Sequence, residues 1–151
     1  PVCEIAKALA ELDGQLRKSI DADAKAYGAY VAASKDKSGS DEAAQRRRAA
    51  TLLSMNVPMG IAAKSGEVLD ALQRMVSHAS KWLLSDLAAA AILAEAAVRC
   101  AGCSVRVNAD LLGDFGEASS ARSQIQALEA SAGVRLSEIL TGLRKRVKRT
   151  D

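Results

Sequence analysis

From Leu87 to Val98 the chain reads LAAAAILAEAAV, a single glutamate in an otherwise apolar run. Small, mostly unbranched side chains of this kind favour helix over strand. A helix that is apolar nearly all round is normally the central one, wrapped by others. The run therefore predicts a buried helix and requires the rest of the chain to supply its cover. Aromatic residues make up only 3% of the 151 positions and only two are proline, so the core has to be aliphatic and close-packed. That favours a bundle over a sandwich or barrel, and one domain at this length.

The cover is legible on both sides. Ile5, Leu9, Leu12, Leu16, Ile20, Ala24, Tyr27 and Val31 follow steps of three and four, the signature of one long amphipathic helix. The stretch from Lys35 to Asp41 breaks it, and Ser40 or Asp41 is placed to cap a second helix. That helix is expected to pause before Pro58, because proline disfavours helical geometry at Val57 and suits a new first turn. A third helix then carries Ile61, Val68, Leu69, Leu72, Met75 and Val76 inward and frays between His78 and Trp82. Ser85 caps the alanine-rich helix and Gly102 stops it. Ser104 to Ala109 reads as a short extended piece, and Gly113-Asp114 as a turn. A last helix from about Glu117 to Val147 sets Ile125, Leu128, Leu136, Ile139, Leu143 and Val147 on one stripe, with Gly133 as a place to kink. The expected architecture is an all-α, multi-helical bundle of long amphipathic helices around a buried alanine-rich one. Residues 1–143 form its single domain and 144–151 a basic tail. Long outer helices of this kind suit a homodimer.

Charge and cysteine content narrow the setting. The net charge of +3 is uneven, since the tail alone carries +4 and leaves the body at −1. The Arg46-Arg47-Arg48 run and the tail can touch phosphates, but few aromatics are available to stack on bases. A solvated tail is the simpler reading, and no nucleic-acid partner is expected. The most apolar window, Leu87 to Cys103, contains Glu95 and Arg99, so no membrane span is expected either. Glu4 and Lys7 interrupt any leader-like start, and the absence of an initiator Met reads as a truncation at Pro1 or as residues missing before it. Three cysteines, an odd number, point to a reducing compartment, with the cytoplasm as default.

Few residues invite chemistry. Asp23 shares the stripe of Ile20 and Tyr27, where an acid needs a partner or a function; an edge salt bridge is the bland alternative. Asp86 opens the alanine-rich helix, where the dipole favours an anion, and an interior helix would place it at the floor of a cleft. Asn108 can hold a ligand amide or cap a turn. Cys100 and Cys103 form a CxxC at an expected helix C-terminus, where the dipole opposes a thiolate. Only Cys3 and His78 remain as further soft ligands, so no metal site is expected and the pair reads as small packing residues. His78 itself reads as solvent-facing.

Taken in order, several of these landmarks resemble a known family. Asp23-Ala24-Lys25-Ala26-Tyr27 is similar to an Asp-x-x-Ala-aromatic stretch, and Val57-Pro58 to a Val-Pro helix start. Ser85-Asp86 before an alanine-rich helix, followed by Val105 to Asn108, completes the likeness to the cyclodeaminase/cyclohydrolase family of folate enzymes. The resemblance implies a dimerising helical bundle acting on a tetrahydrofolate derivative as substrate, with no metal. Two reactions fit it: closure of 5-formimino-tetrahydrofolate to the 5,10-methenyl form with release of ammonia, or hydration of the methenyl bridge to the 10-formyl form. It further implies Asp86 as general base or electrostatic stabiliser, Asp23 as a second acid near the pterin, and Ser85, Asn108 and Arg106 as substrate-binding residues, Arg106 toward the glutamate tail. Where relatives carry Gly-Asn-x-Asn, this chain has Ala79-Ser80-Lys81-Trp82, and a glycine-rich first helix has no counterpart. Those departures motivate the alternative of a non-catalytic folate-binding or assembly relative.

Overall fold

The structure is a computed structural model that describes residues 1–113 and 115–148. Four long helices make up nearly all of it: α1 Val2–Lys35, α2 Asp41–Met75, α3 Leu84–Leu112 and α4 Gly116–Val147, with a short 3-10 turn at Lys81–Leu83. Among the described residues there is no strand. At 1.5 Å per residue each helix runs roughly 45–50 Å. Helices α2, α3 and α4 pack on one another, and α1 lies along α2. The fully buried centre is aliphatic, drawn from Leu69 of α2, Val98 and Val105 of α3, and Ile125 and Ile139 of α4.

Ser40 caps α2, its hydroxyl accepting the Ala43 N–H at 3.2 Å. Gly113, at φ 80°, ends α3 where a side chain would be strained. Several expected boundaries are absent, however. Pro58 sits inside α2, which runs unbroken to Met75. Gly102 does not stop α3, and Ser104 to Ala109 is helical rather than extended. Ser85 is not a cap: α3 begins at Leu84 and Leu83 precedes it with no side-chain bond. Tertiary packing overrides the local preferences here. Val105 and Ala109 are completely buried as part of a helix seam. Gly102 lets α4 close in: a Cβ there would overlap Glu129 Oε1 and crowd Ile125 Cγ1 at 3.2 Å.

Two burial expectations also need correction. The alanine-rich helix is not wrapped all round; Leu93 is 70% exposed and Ile92 49%, on a face that no other described helix covers. Helix α1 buries Ile5, Leu12 and Ala26, while Ile20 and Tyr27 stand 70% and 66% open. Because α1 packs chiefly on α2, Ala26 turns inward in its second half while Ile20 and Tyr27 turn out. Cys100 and Cys103 are mid-helix and exposed, not packing residues. By length and composition α3 with its leading turn, Lys81–Leu112, could cross a membrane, yet 39% of its most apolar window is buried inside the bundle. The basic tail begins inside α4, whose Arg146 donates to the carbonyls of Ser77 and Ala79 at 2.5 and 2.6 Å. The Asp114 half of the expected turn, and the tail beyond Lys148, lie outside the described residues.

Candidate functional site

Pro58 lacks the N–H that would close the helical bond to the Ser54 carbonyl. That carbonyl instead accepts from Asn108 Nδ2 of α3 at 3.0 Å, and the same nitrogen donates to the Ser104 carbonyl at 2.9 Å. The Ser54 hydroxyl in turn donates to the Ala26 carbonyl of α1 at 3.2 Å. Three helices are thus pinned together around one freed carbonyl. Beside this junction opens a hollow of about 410 Å³ lined by Asp23, Tyr27 and Tyr30 of α1, Ser54 of α2, and Ser104, Val107, Asn108 and Leu111 of α3. Cys103 borders it as well.

A second hollow, about 310 Å³, meets the first at Tyr30 and Leu111. Its walls include Ser34, Arg47, Arg48, Thr51 and Phe115. The Arg48 guanidinium lies over the Phe115 ring at 4.6 Å and is ion-paired with Glu117, whose carboxyl is held below its usual range by its own backbone N–H and by Arg48. Arg47 donates to the Asp36 carbonyl at 3.4 Å. Asp36 itself anchors the α1–α2 loop: the Ser38 backbone N–H first, then its hydroxyl and Arg46, push its carboxyl down to about 2. Together the two hollows, which share Tyr30 and Leu111 as walls, make a groove, with Asp23 lining one part and Arg47 and Arg48 the other. Three of the chain's four aromatic side chains line it.

The structure brings two of the expected site residues together and separates the rest. Asp23 and Asn108 share the first hollow, though Asp23 is exposed rather than on a buried stripe. Ser85 and Asp86 are exposed in the first turn of α3. Twenty-two residues of helix put Asp86 about 33 Å from Asn108, far beyond the reach of the hollow within one chain. Arg106 faces α4, where it grips Glu129 with both terminal nitrogens at 3.0 and 2.8 Å. Trp82 is 79% exposed and fills no pocket.

Tyr30, Ser54 and the Arg47–Arg48 pair were not foreseen as site residues. The step Asp23, Tyr27, Tyr30, one face of one helix, was the available signal for the first hollow. Nothing local signalled that Phe115 would meet Arg48. Among the described residues no three His, Cys, Asp or Glu side chains gather as a metal site would require.

A family profile described as formiminotransferase-cyclodeaminase matches residues 2–127. The fold is similar to that of a formiminotetrahydrofolate cyclodeaminase from Thermotoga maritima, with a TM-score of 0.83 and 20% identity, over 93% of this chain and 68% of that one. At that identity the likeness carries the fold alone. No curated protein sequence matches the chain. The profile runs through α1, α2, α3 and the first turns of α4, so it takes in every residue of the groove. On that match the chain belongs to the formiminotransferase-cyclodeaminase family.

Proposed function

We propose that the groove binds a reduced folate carrying a one-carbon unit, and that the protein works on the 5,10-methenyl bridge as a cyclohydrolase or cyclodeaminase. The observation that carries this reading is the polarity of the groove: an acid, an amide and two tyrosines at one end, two arginines at the other. A folate has the matching order, with a planar pterin and cationic bridge first and glutamate carboxylates last. Asp23 and Ser34 are eleven residues apart on α1, about 16 Å of helix, which suits a ligand of that length. Tyr27 and Tyr30 offer faces for the rings, and the Asn108 Oδ1 is free to accept from the pterin because its nitrogen is already committed. Arg47, in place of Arg106, suits the carboxylates, since Arg48 is already paired with Glu117.

In the hydrolytic direction water adds to the bridge carbon, the carbon–N5 bond breaks and a proton passes to N5. In the other direction N10 attacks the formimino carbon and ammonia leaves. Both pass through a tetrahedral carbon beside a cationic partner, and a carboxylate serves each by steadying that charge and moving the proton. The setting is cytoplasmic on this reading. Loss of the methenyl chromophore, timed against its spontaneous hydrolysis, tests it with the intact protein. Acceleration abolished by Asp23→Ala is the expected result, and no acceleration overturns catalysis. The second reading, a folate-binding relative without turnover, is favoured by the distance of Asp86 from the groove. Tight folate binding without acceleration would select it.

A further inference from the structure

We infer that the cleft between α3 and α4 is a binding site for a small organic anion, a carboxylate or phosphate on a short apolar body. It stands apart from the folate reading. Glu95 and Ser104 are nine residues apart on α3, about 180° round the helix, so the cleft and the groove open on opposite sides of it. The cleft holds about 330 Å³. Its starting point is Glu95, the one charge in the apolar run from Leu87 to Val98 and only 7% exposed. A carboxylate so placed needs a partner. Arg99, one turn on, supplies it through Nε alone. The two terminal nitrogens of Arg99 have no partner among the described residues, and its side chain is 66% exposed where it lines the cleft.

Helix α4 supplies the facing wall. Ser137, Thr141 and Arg144 follow steps of four and three, so they share one face of that helix. Among the described residues neither hydroxyl is hydrogen-bonded, and the Arg144 guanidinium has no partner. The acids on that half of α4 are committed elsewhere, Glu129 to Arg106 and Glu138 to Gln73 at 2.7 Å. The cleft thus sets one carboxylate, already paired, against two guanidinium groups and two hydroxyls, a formal charge of +1 with donors in excess. That is the complement of an oxyanion, which guanidinium groups hold by paired N–H bonds. A metal cation or an amine would meet two arginines and is disfavoured on charge. Leu136 and Leu140 add an apolar flank, and Gly133, with open space where a Cβ would stand, leaves room beside them. An anion with a short apolar body covers that flank, whereas inorganic phosphate leaves it wet. The negative end of α4 lies a turn beyond Arg144 and opposes an anion weakly; Lys145 and Arg146 in the same turn offset it.

Titration of the intact protein with phenyl phosphate, benzoate and inorganic phosphate, followed by amide NMR, tests the site. Saturable shifts confined to the turns around Glu95–Arg99 and Ser137–Arg144 are expected with phenyl phosphate or benzoate, and weaker binding with inorganic phosphate. Which of the two aromatic anions binds more tightly identifies the head group. Arg144→Ala should weaken binding about tenfold, as should Arg99→Lys, which keeps the charge beside Glu95 but loses the fork. Ser137→Trp, which fills the cleft with both arginines in place, should abolish it. Lys145→Ala removes the same charge from the same turn and should change the affinity by less than about twofold. Equal losses from Lys145→Ala and Arg144→Ala would reduce the effect to surface basicity and overturn the site. So would shifts that do not saturate, or that centre on Arg47 instead. Saturating tetrahydrofolate should leave the titration unchanged; competition would place the anion in the groove and equally overturn the proposal.

Discussion

Asn108 donates to the carbonyl that Pro58 leaves without a helical partner. The side chain that resembles a ligand-binding amide is therefore first a structural one, and its presence explains how α2 passes through a proline without a boundary. If so, the two residues are energetically coupled. Asn108→Ala alone should cost about 1–2 kcal/mol through the orphaned carbonyl. In a Pro58→Ala background, where residue 58 can donate again, the same change should cost about 1 kcal/mol less. A double-mutant cycle by urea unfolding measures this, and additive effects would refute the coupling.

Two glycines in helix interiors should respond to alanine in opposite directions. Gly133 in α4 has open space where a Cβ would go, so Gly133→Ala should stabilise by about 0.5–1 kcal/mol through backbone entropy and propensity alone. At Gly102 the same gain is outweighed, since the new methyl displaces a Glu129 already held by Arg106 and presses on the fully buried Ile125. Net destabilisation of about 1–2 kcal/mol is expected there. Thermal unfolding of the two variants side by side decides it.

The arginines separate by role. Arg47→Ala should weaken binding of a folate bearing its glutamate about tenfold, roughly 1.4 kcal/mol, and leave binding of the pterin portion alone unchanged. Arg106→Gln should lower the melting temperature without altering either affinity, because its guanidinium is committed to Glu129 and held charged by it. Equilibrium binding of the two ligands to each variant distinguishes these outcomes.

Asp36 gives the α1–α2 loop an acid limit. Its folded value, about 2, lies below the ordinary 3.8, so the ionised form is the one the fold favours. The stabilisation is complete above about 3.8 and is lost as pH falls toward 2. A carboxyl-carbon NMR titration should place the Asp36 midpoint near 2, and Asp36→Asn should remove that part of the acid sensitivity. A midpoint at the ordinary value would show that the Ser38 and Arg46 bonds do not hold in solution.

The fold class was readable because it rests on periodicity, which local sequence carries in full: the course of α1 and the extent of α4 follow from it, while the cap of α2 was narrowed by residue type to Ser40 or Asp41. The internal boundaries were misread at Pro58 and Gly102, where the usual breaking rules are local and the compensation comes from residues fifty and twenty-seven positions away. The inward side of α1 was misread for a related reason. Periodicity identifies a stripe but not how many neighbours exist to cover it. Of the residues that line the two hollows, Asp23 and Asn108 were singled out by residue type, whereas Arg47 and Arg48 read as an ordinary charge run, because the Phe115 and Tyr30 beside them come from other helices or loops.

The Arg146 clasp has a practical side. By holding the Ser77 and Ala79 carbonyls, the final turn of α4 steadies the approach to the helix that carries Asp86. Cleavage ahead of Arg146, or a bulky fusion crowding it, would therefore loosen the entrance of α3 while the aliphatic interior stayed intact.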